Sequence, residues 1–215
     1  MEVGRFWSIP YRAAWKRLQD ALAASYDTHP LVQEVAVSSC SSMTAEPFIV
    51  ALNKDNIPVL HAAGYNDEAM KAGLLGAIDD YASWRHVALD YTFNLFRSCD
   101  NCKIQAVPEF APQVMNTWRK RLGPRAVIAN HGLQVQLTSA ALGVCAEIKK
   151  LGSPVEFQTY SPTVDWEASV RVGLSYGVTE LEIWDTKESG GIAPISYQQL
   201  KTWQAALKAS LPRTQ

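Results

Sequence analysis

The sequence predicts an α/β fold with a parallel sheet of the TIM-barrel type. Five short apolar segments alternate with helical patterns along the chain, and this alternation is typical of parallel strands joined by crossover helices. Polar or aromatic residues follow several of these segments, and barrel enzymes keep their sites at the carboxyl ends of the strands. A complete barrel has eight strands and about 250 residues. Five strands in 215 residues therefore predict either a partial barrel or an open five-stranded sheet.

The strands are predicted to pair in the order in which they occur, through right-handed crossovers. Their expected positions are residues 31–37, 87–96, 125–130, 154–159 and 179–184. Apolar residues at helical spacing predict the intervening helices. These are expected at residues 10–26, 66–84, 112–122, 138–151, 165–177 and 196–211, with residues 38–64 mostly in a loop.

Capping residues set the expected ends of these helices. Ser8, Asn66 and Asp165 are suitable N-caps, and Ser196 with Gln199 forms a capping box. Glycines at 123, 152 and 177 are suited to the positions just after helices. The first helix is expected to bury one apolar face that contains Tyr11, Ala14, Trp15, Leu18, Ala21 and Leu22.

Composition narrows the classes of function. The chain is most simply one domain over residues 1–215, and its net charge of -1 with scattered basic residues predicts no nucleic-acid partner. No apolar run approaches the roughly 18 residues of a membrane helix, so no membrane partner is predicted. Residues 1–5 lack the apolar core of a signal peptide, which leaves a cytoplasmic location as the default. Cys99 and Cys102 have no second ligand pair at zinc spacing, so neither a metal nor another cofactor is predicted.

Three single residues and one dipeptide lie in or just after the predicted strands, where the site of a barrel enzyme would form. Glu46-Pro47 closes the loop after the first strand, His131 follows the third, Glu156 lies in the fourth and Trp184 ends the fifth. This order resembles the second part of the retaining glycoside hydrolases of the clan A barrels. The resemblance implies that the five strands are strands 4 to 8 of such a barrel, with the first three missing. The chain also resembles uncharacterised bacterial barrel proteins of this kind.

The resemblance implies hydrolysis of a β-linked saccharide by two carboxylates. Glu46 would be the proton donor and then the base, while Glu156 would be the nucleophile, held ionised by hydrogen bonds. Two departures stand out: Ala45 replaces the Asn that precedes the acid in the clan, and Glu156 lies early in its strand, only two residues after Pro154. The saccharide is expected to contact Asn94, Asn130, His131, Tyr160 and Trp184.

Other interpretations fit the same residues. Glu156 could form a structural ion pair, and Glu180 or Glu182 could replace it, because at least one of them should face inward. A partial barrel could also be an inactive carbohydrate-binding protein, or one that forms a homo-oligomer through its open sheet edges. A third possibility is a barrel enzyme for phosphate-bearing substrates, which would use a loop such as Gly190-Gly191.

Overall fold

The main sheet is parallel and curls into a half-barrel. The computed structural model describes residues 4–40, 53–94, 96–99, 104–105, 110–136, 139–160, 165–183 and 195–210. With strands numbered in chain order, the sheet contains β1 (Glu34–Ala36), β2 (Ala88–Thr92), β5 (Ala126–Leu133), β6 (Val155–Thr159) and β7 (Glu180–Glu182). The five strands are neighbours in that same order. The predicted partial parallel barrel and its strand order are therefore confirmed.

A second, smaller sheet was not predicted. It pairs β3 (Phe96–Arg97) with β4 (Ile104–Gln105) in antiparallel fashion. The strand predicted at 87–96 ends earlier than expected, at Thr92, and β3 begins after a break. The backbone therefore leaves the main sheet before the apolar run in the sequence ends.

All six predicted helices are present, together with a short helix in the segment predicted to be mostly loop. The short helix is α2 (Ile57–Ala62). Residues 48–52, whose apolar sequence also predicts a short helix or strand, lie outside the described residues. The helices are α1 (Ile9–Tyr26), α2 (Ile57–Ala62), α3 (Asp67–Asp80), α4 (Phe110–Leu122), α5 (Ser139–Leu151), α6 (Trp166–Ser175) and α7 (Tyr197–Ser210). No helix among the described residues is both long enough and apolar enough to cross a membrane.

The predicted caps form as expected. The side chain of Asn66 accepts a hydrogen bond from the backbone N–H of Ala69 at 2.7 Å, and Asp165 accepts one from Ala168 at 3.1 Å. At the start of α7, Ser196 and Gln199 form the reciprocal bonds of a capping box. These bonds satisfy N–H groups that have no partner within the helix, so the sequence fixes these helix starts locally.

The predicted buried face of α1 was right only in part, because Tyr11 and Trp15 pack against the core but the leucines do not. Leu18 is 47% exposed and Leu22 is 36% exposed, whereas Gln19 and Ala23 are buried. Polar contacts explain this rotation. Arg12 donates to Asp80 and to the carbonyl of Gly76 on α3. Gln19 also accepts a hydrogen bond from Trp84 Nε1 at 3.0 Å, so a face with fewer apolar residues packs against α3.

The carboxylate of Asp27 joins the end of α1 to the start of β2. It accepts hydrogen bonds from three backbone N–H groups, those of Arg85, His86 and Val87, at 2.8, 3.0 and 3.2 Å. Asp27 is only 8% exposed. Burial raises the pKa of Asp27, but the three N–H bonds outweigh it and lower the pKa overall. This junction positions β2 relative to the first helix.

Helices cover one face of the main sheet. Tyr91, Ile128 and Phe157 point to this face and join a core with side chains of the helices. Trp118 of α4 is fully buried there, stacks edge-on against Tyr91, and donates from Nε1 to the carbonyl of Val127 at 3.1 Å. Helices lie on the outside of a parallel barrel, so the opposite face lines the inside of the curl.

Candidate functional site

The inside of the curl carries carboxylates from four of the five strands. In the register of the sheet, Ala36 lies beside Asp90, Ala129 beside Glu156, and Glu156 beside Glu180. Residues paired in this way on neighbouring strands point to the same face of the sheet. We call this surface the polar face. It consists of six residues: Glu34, Asp90, His131, Glu156, Glu180 and Glu182.

Glu156 lies at the centre of the polar face. One oxygen of Glu156, one of Asp90 and one of Glu34 all lie within 4.8 Å of one another. Glu156 also forms a second such group with a ring nitrogen of His131 and a carboxylate oxygen of Glu182. Three different strands supply each group, so the curl of the sheet creates both clusters.

Asp90 is the most buried of these carboxylates. It is 6% exposed, and its Oδ1 has no hydrogen-bond partner among the described residues. The hydroxyl of Thr92 lies 3.4 Å from Oδ2 of Asp90 and 3.3 Å from Nε2 of His131. Thr92 therefore links the buried carboxylate to the imidazole. Unpartnered buried charge is costly, so Asp90 has no obvious structural purpose.

The crowded carboxylates hold protons more tightly than usual. Burial and the nearby charges of Glu180, Asp90 and Glu156 raise the pKa of Glu34 to about 9. Burial and the charge of Glu156 raise the pKa of Asp90 to about 8. The pKa of Glu156 is also raised, mainly by burial and by Glu180, although Glu34 and His131 counter this shift. Hydrogen bonds were expected to hold Glu156 ionised; the bond from Glu34 does favour the ionised form, but burial outweighs it and the pKa is raised overall.

Among the described residues, no Lys or Arg forms an ion pair with this cluster. The ion pairs among the described residues join Arg12 to Asp80 and Lys16 to Asp20 in the first half of the chain. In the second half they involve Arg121, Lys150 and Arg171. None of these pairs includes a residue of the polar face. The structural ion pair considered for Glu156 is therefore not found within the described part of the chain.

Asn94 and Asn130 join the carboxyl ends of β2 and β5. Asn130 is 3% exposed and donates to the carbonyl of Phe93 at 2.7 Å and to Oδ1 of Asn94 at 3.0 Å. The same Oδ1 accepts from the backbone N–H of His131 at 3.1 Å. These bonds hold the backbone of His131 in place. A direct contact of either Asn with a saccharide stays a prediction.

The other predicted site residues have mixed outcomes. His131 lies within β5, not after it, and is half-buried beside Thr92. Tyr160 follows β6 and is 62% exposed, while its backbone N–H donates to the carbonyl of Leu133. Glu46 and Trp184 lie outside the described residues. The predicted pairing of Glu46 with Glu156, and the predicted cleft of Trp184, Tyr160 and His131, therefore stay predictions.

Sequence reasoning missed two members of the cluster, Glu34 and Asp90. The sequence does contain a sign of both residues, because Asp90 lies between the apolar Leu89 and Tyr91, and Glu34 directly precedes Val35. An acidic residue within an apolar strand implies one polar sheet face. For Glu180 and Glu182 the same alternation was recognised. Both point to the polar face, through their pairing with Glu156 and Gln158, which confirms that at least one faces inward.

The fold and the polar face together define a partial parallel barrel with carboxylates gathered inside its curl. No known protein family, curated protein or solved structure matches the chain. The geometry of the polar face is therefore the basis for assigning a function.

Proposed function

We propose that this chain carries the nucleophile of a retaining glycoside hydrolase that acts on a β-linked saccharide. The observation that carries the proposal is the central position of Glu156 on the polar face, beside His131 and Glu182. No described Lys or Arg forms an ion pair with Glu156. Its carboxylate therefore remains available to attack an anomeric carbon.

The proposed roles are those of a double displacement. Glu156 attacks the anomeric carbon and forms a covalent glycosyl-enzyme, while Glu46 protonates the leaving oxygen and then activates water. Retaining enzymes place these two carboxyl groups about 5–5.5 Å apart. Glu34 is hydrogen-bonded to Glu156, so it is too close to serve as the second group with a sugar between them.

Glu34 has a different part in this scheme. With its pKa raised to about 9 by burial and neighbouring carboxylates, it stays protonated near neutral pH. A protonated Glu34 donates its hydrogen to the Glu156 carboxylate, and such a bond favours the ionised form of the acceptor. Glu34 thus favours the ionised, attacking form of Glu156 and partly offsets the effect of burial, which still leaves the pKa of Glu156 raised. We expect slow hydrolysis, because the same bond weakens the nucleophile.

A second candidate is an inactive barrel that binds carbohydrate or assembles through its edges. The specific observations in its favour are the edge positions of β1 and β7 and the exposed Leu18 and Leu22 of α1. Unpaired strand edges and exposed apolar side chains favour association. In this case the polar face would bind a sugar without cleaving it.

A covalent trap distinguishes the two candidates. Aryl 2-deoxy-2-fluoro-β-glycosides should leave a glycosyl group on the nucleophile, and mass spectrometry of peptides should locate it on Glu156. Glu156→Gln should remove the adduct and lower hydrolysis of a panel of aryl β-glycosides by at least about 100-fold. The matched control is Glu68→Gln, an exposed position in the first turn of α3.

The same panel tests the proton donor. Glu46→Gln should slow substrates with poor leaving groups most, because activated aryl groups need little protonation. Hydrolysis unchanged by Glu156→Gln, or an adduct on another residue, would overturn the assignment. Saccharide binding without turnover or adduct, retained in Glu156→Gln, would favour the inactive barrel.

A further inference from the structure

Three carboxylates from distant parts of the chain converge inside the curl. Glu34 comes from β1, Asp90 from β2 and Glu156 from β6, and one oxygen of each lies within 4.8 Å of the others. Asp90 belongs to this group although it is 94% buried, and its Oδ1 has no hydrogen-bond partner among the described residues. An unpartnered buried oxygen of this kind points to an ion or a water molecule bound beside it.

We propose that Glu34, Asp90 and Glu156 bind a single hard divalent cation in the size range of Ca²⁺ or Mn²⁺. Carboxylate oxygens are the ligands that hard cations prefer. Oxygens on opposite sides of a cation at about 2.4 Å are roughly 4.8 Å apart. The oxygens of this triad already lie within that span of one another, so small side-chain shifts would let one ion contact all three without a change of fold.

Charge balance supports a cation at this position. Like charges at close range repel strongly where water is excluded, and within the described residues no Lys or Arg pairs with these three carboxylates. A divalent ion would supply positive charge and give Oδ1 of Asp90 its missing partner.

The neighbouring cluster of His131, Glu156 and Glu182 is the competing location. It also has three ligand atoms within 4.8 Å of one another, and an imidazole favours Zn²⁺. However, Glu182 is exposed, and this cluster contains no buried oxygen without a partner among the described residues. The triad with Asp90 is therefore the better-founded site.

The inference does not rest on the proposed hydrolase activity. A cation on Glu156 would compete with attack by the same carboxylate, so the two proposals predict separable results. Cation binding can be present in a chain that does not hydrolyse any glycoside. If both hold, added cation should slow hydrolysis, and a chelator should restore it.

Calorimetric titration of the full chain tests the site. The protein is first treated with EDTA and dialysed, and then titrated separately with Ca²⁺, Mn²⁺, Mg²⁺ and Zn²⁺. We expect one ion per chain for Ca²⁺ or Mn²⁺, with an accompanying rise in Tm. Electron paramagnetic resonance of bound Mn²⁺ gives a second readout that does not depend on stability or activity.

Matched variants locate the ion. Asp90→Asn and Glu34→Gln should each weaken binding at least about 10-fold, while Glu182→Gln and the exposed control Asp55→Asn should leave it unchanged. Circular dichroism confirms that each variant is folded. Absence of binding at millimolar cation would overturn the proposal. So would Zn²⁺-selective binding that His131→Asn abolishes and Asp90→Asn leaves intact.

Discussion

Removing the carboxylate of Asp27 should sharply destabilise the protein. In Asp27→Ala the backbone N–H groups of Arg85, His86 and Val87 lose the acceptor that they share at 2.8, 3.0 and 3.2 Å. An unsatisfied donor costs about 1–3 kcal/mol when it is fully buried, and of these three hydrogen bonds one is buried and two are part-buried. Water reaches part of the vacated space, so we expect the free energy of unfolding to fall by about 3–5 kcal/mol. Tm should then fall by roughly 6–20 °C, at about 2–4 °C per kcal/mol.

Urea unfolding followed by tryptophan fluorescence measures this loss, because Trp84 directly precedes the loop concerned. Asp27→Asn, which keeps one acceptor oxygen, should fall between the wild type and the Ala variant. Asp55→Asn, at an exposed turn, is the control. Because the pKa of Asp27 is lowered in the folded state, its contribution is present above its ordinary pKa and lost as the pH falls through the lowered value. A loss below about 1 kcal/mol, or one independent of pH, would refute this account.

Three further predictions concern the sheet and its site. Asp90→Asn, measured in EDTA, should stabilise the protein near neutral pH, since burial raises the pKa of Asp90 to about 8. Because the folded state favours the protonated carboxyl, the wild type loses stability as the pH rises from about 4 to 8. The advantage of the variant should therefore vanish below about pH 4. Trp118→Phe should cost about 2 kcal/mol in urea unfolding, because it removes the hydrogen bond to Val127 and leaves a gap in the core. Gly177→Ala should cost about 1–2 kcal/mol from backbone strain alone, since its φ is +75° and an added Cβ meets no atom within 4 Å. The argument for Asp90 is contradicted if Asp90→Asn is less stable than the wild type at neutral pH. The arguments for Trp118 and Gly177 are contradicted if the free energy of unfolding is unchanged in their variants.

Features set by neighbouring residues could be predicted from the sequence. The caps at Asn66, Asp165 and Ser196 depend on residues three positions away, and the strand order follows from alternation along the chain. The buried face of α1 could not be predicted in this way. It depends on the ion pair between Arg12 and Asp80, which lie 68 residues apart in the sequence. This ion pair sets which side of α1 faces α3, although Leu18 and Leu22 lie at the spacing of a different, apolar face.

The candidate site was predicted only in part, for a related reason. Glu156 and His131 were identified by their order, but the grouping of Glu156 with Glu34 and Asp90 depends on the curl of the sheet across three strands. Sequence spacing gives no measure of that curl. Cys and His spacing along the sequence also gives no sign of single carboxylates that converge from separate strands.

The concentration of like charge inside the curl also affects how ligands arrive. A cleft lined by one sign of charge focuses its field outward and raises the local concentration of oppositely charged solutes. Cations and amino-bearing molecules should therefore reach the polar face faster than neutral ones of the same size, and uronic acids more slowly. This steering should weaken as ionic strength rises, because the Debye length falls from about 30 Å at 0.01 M to about 10 Å at 0.1 M.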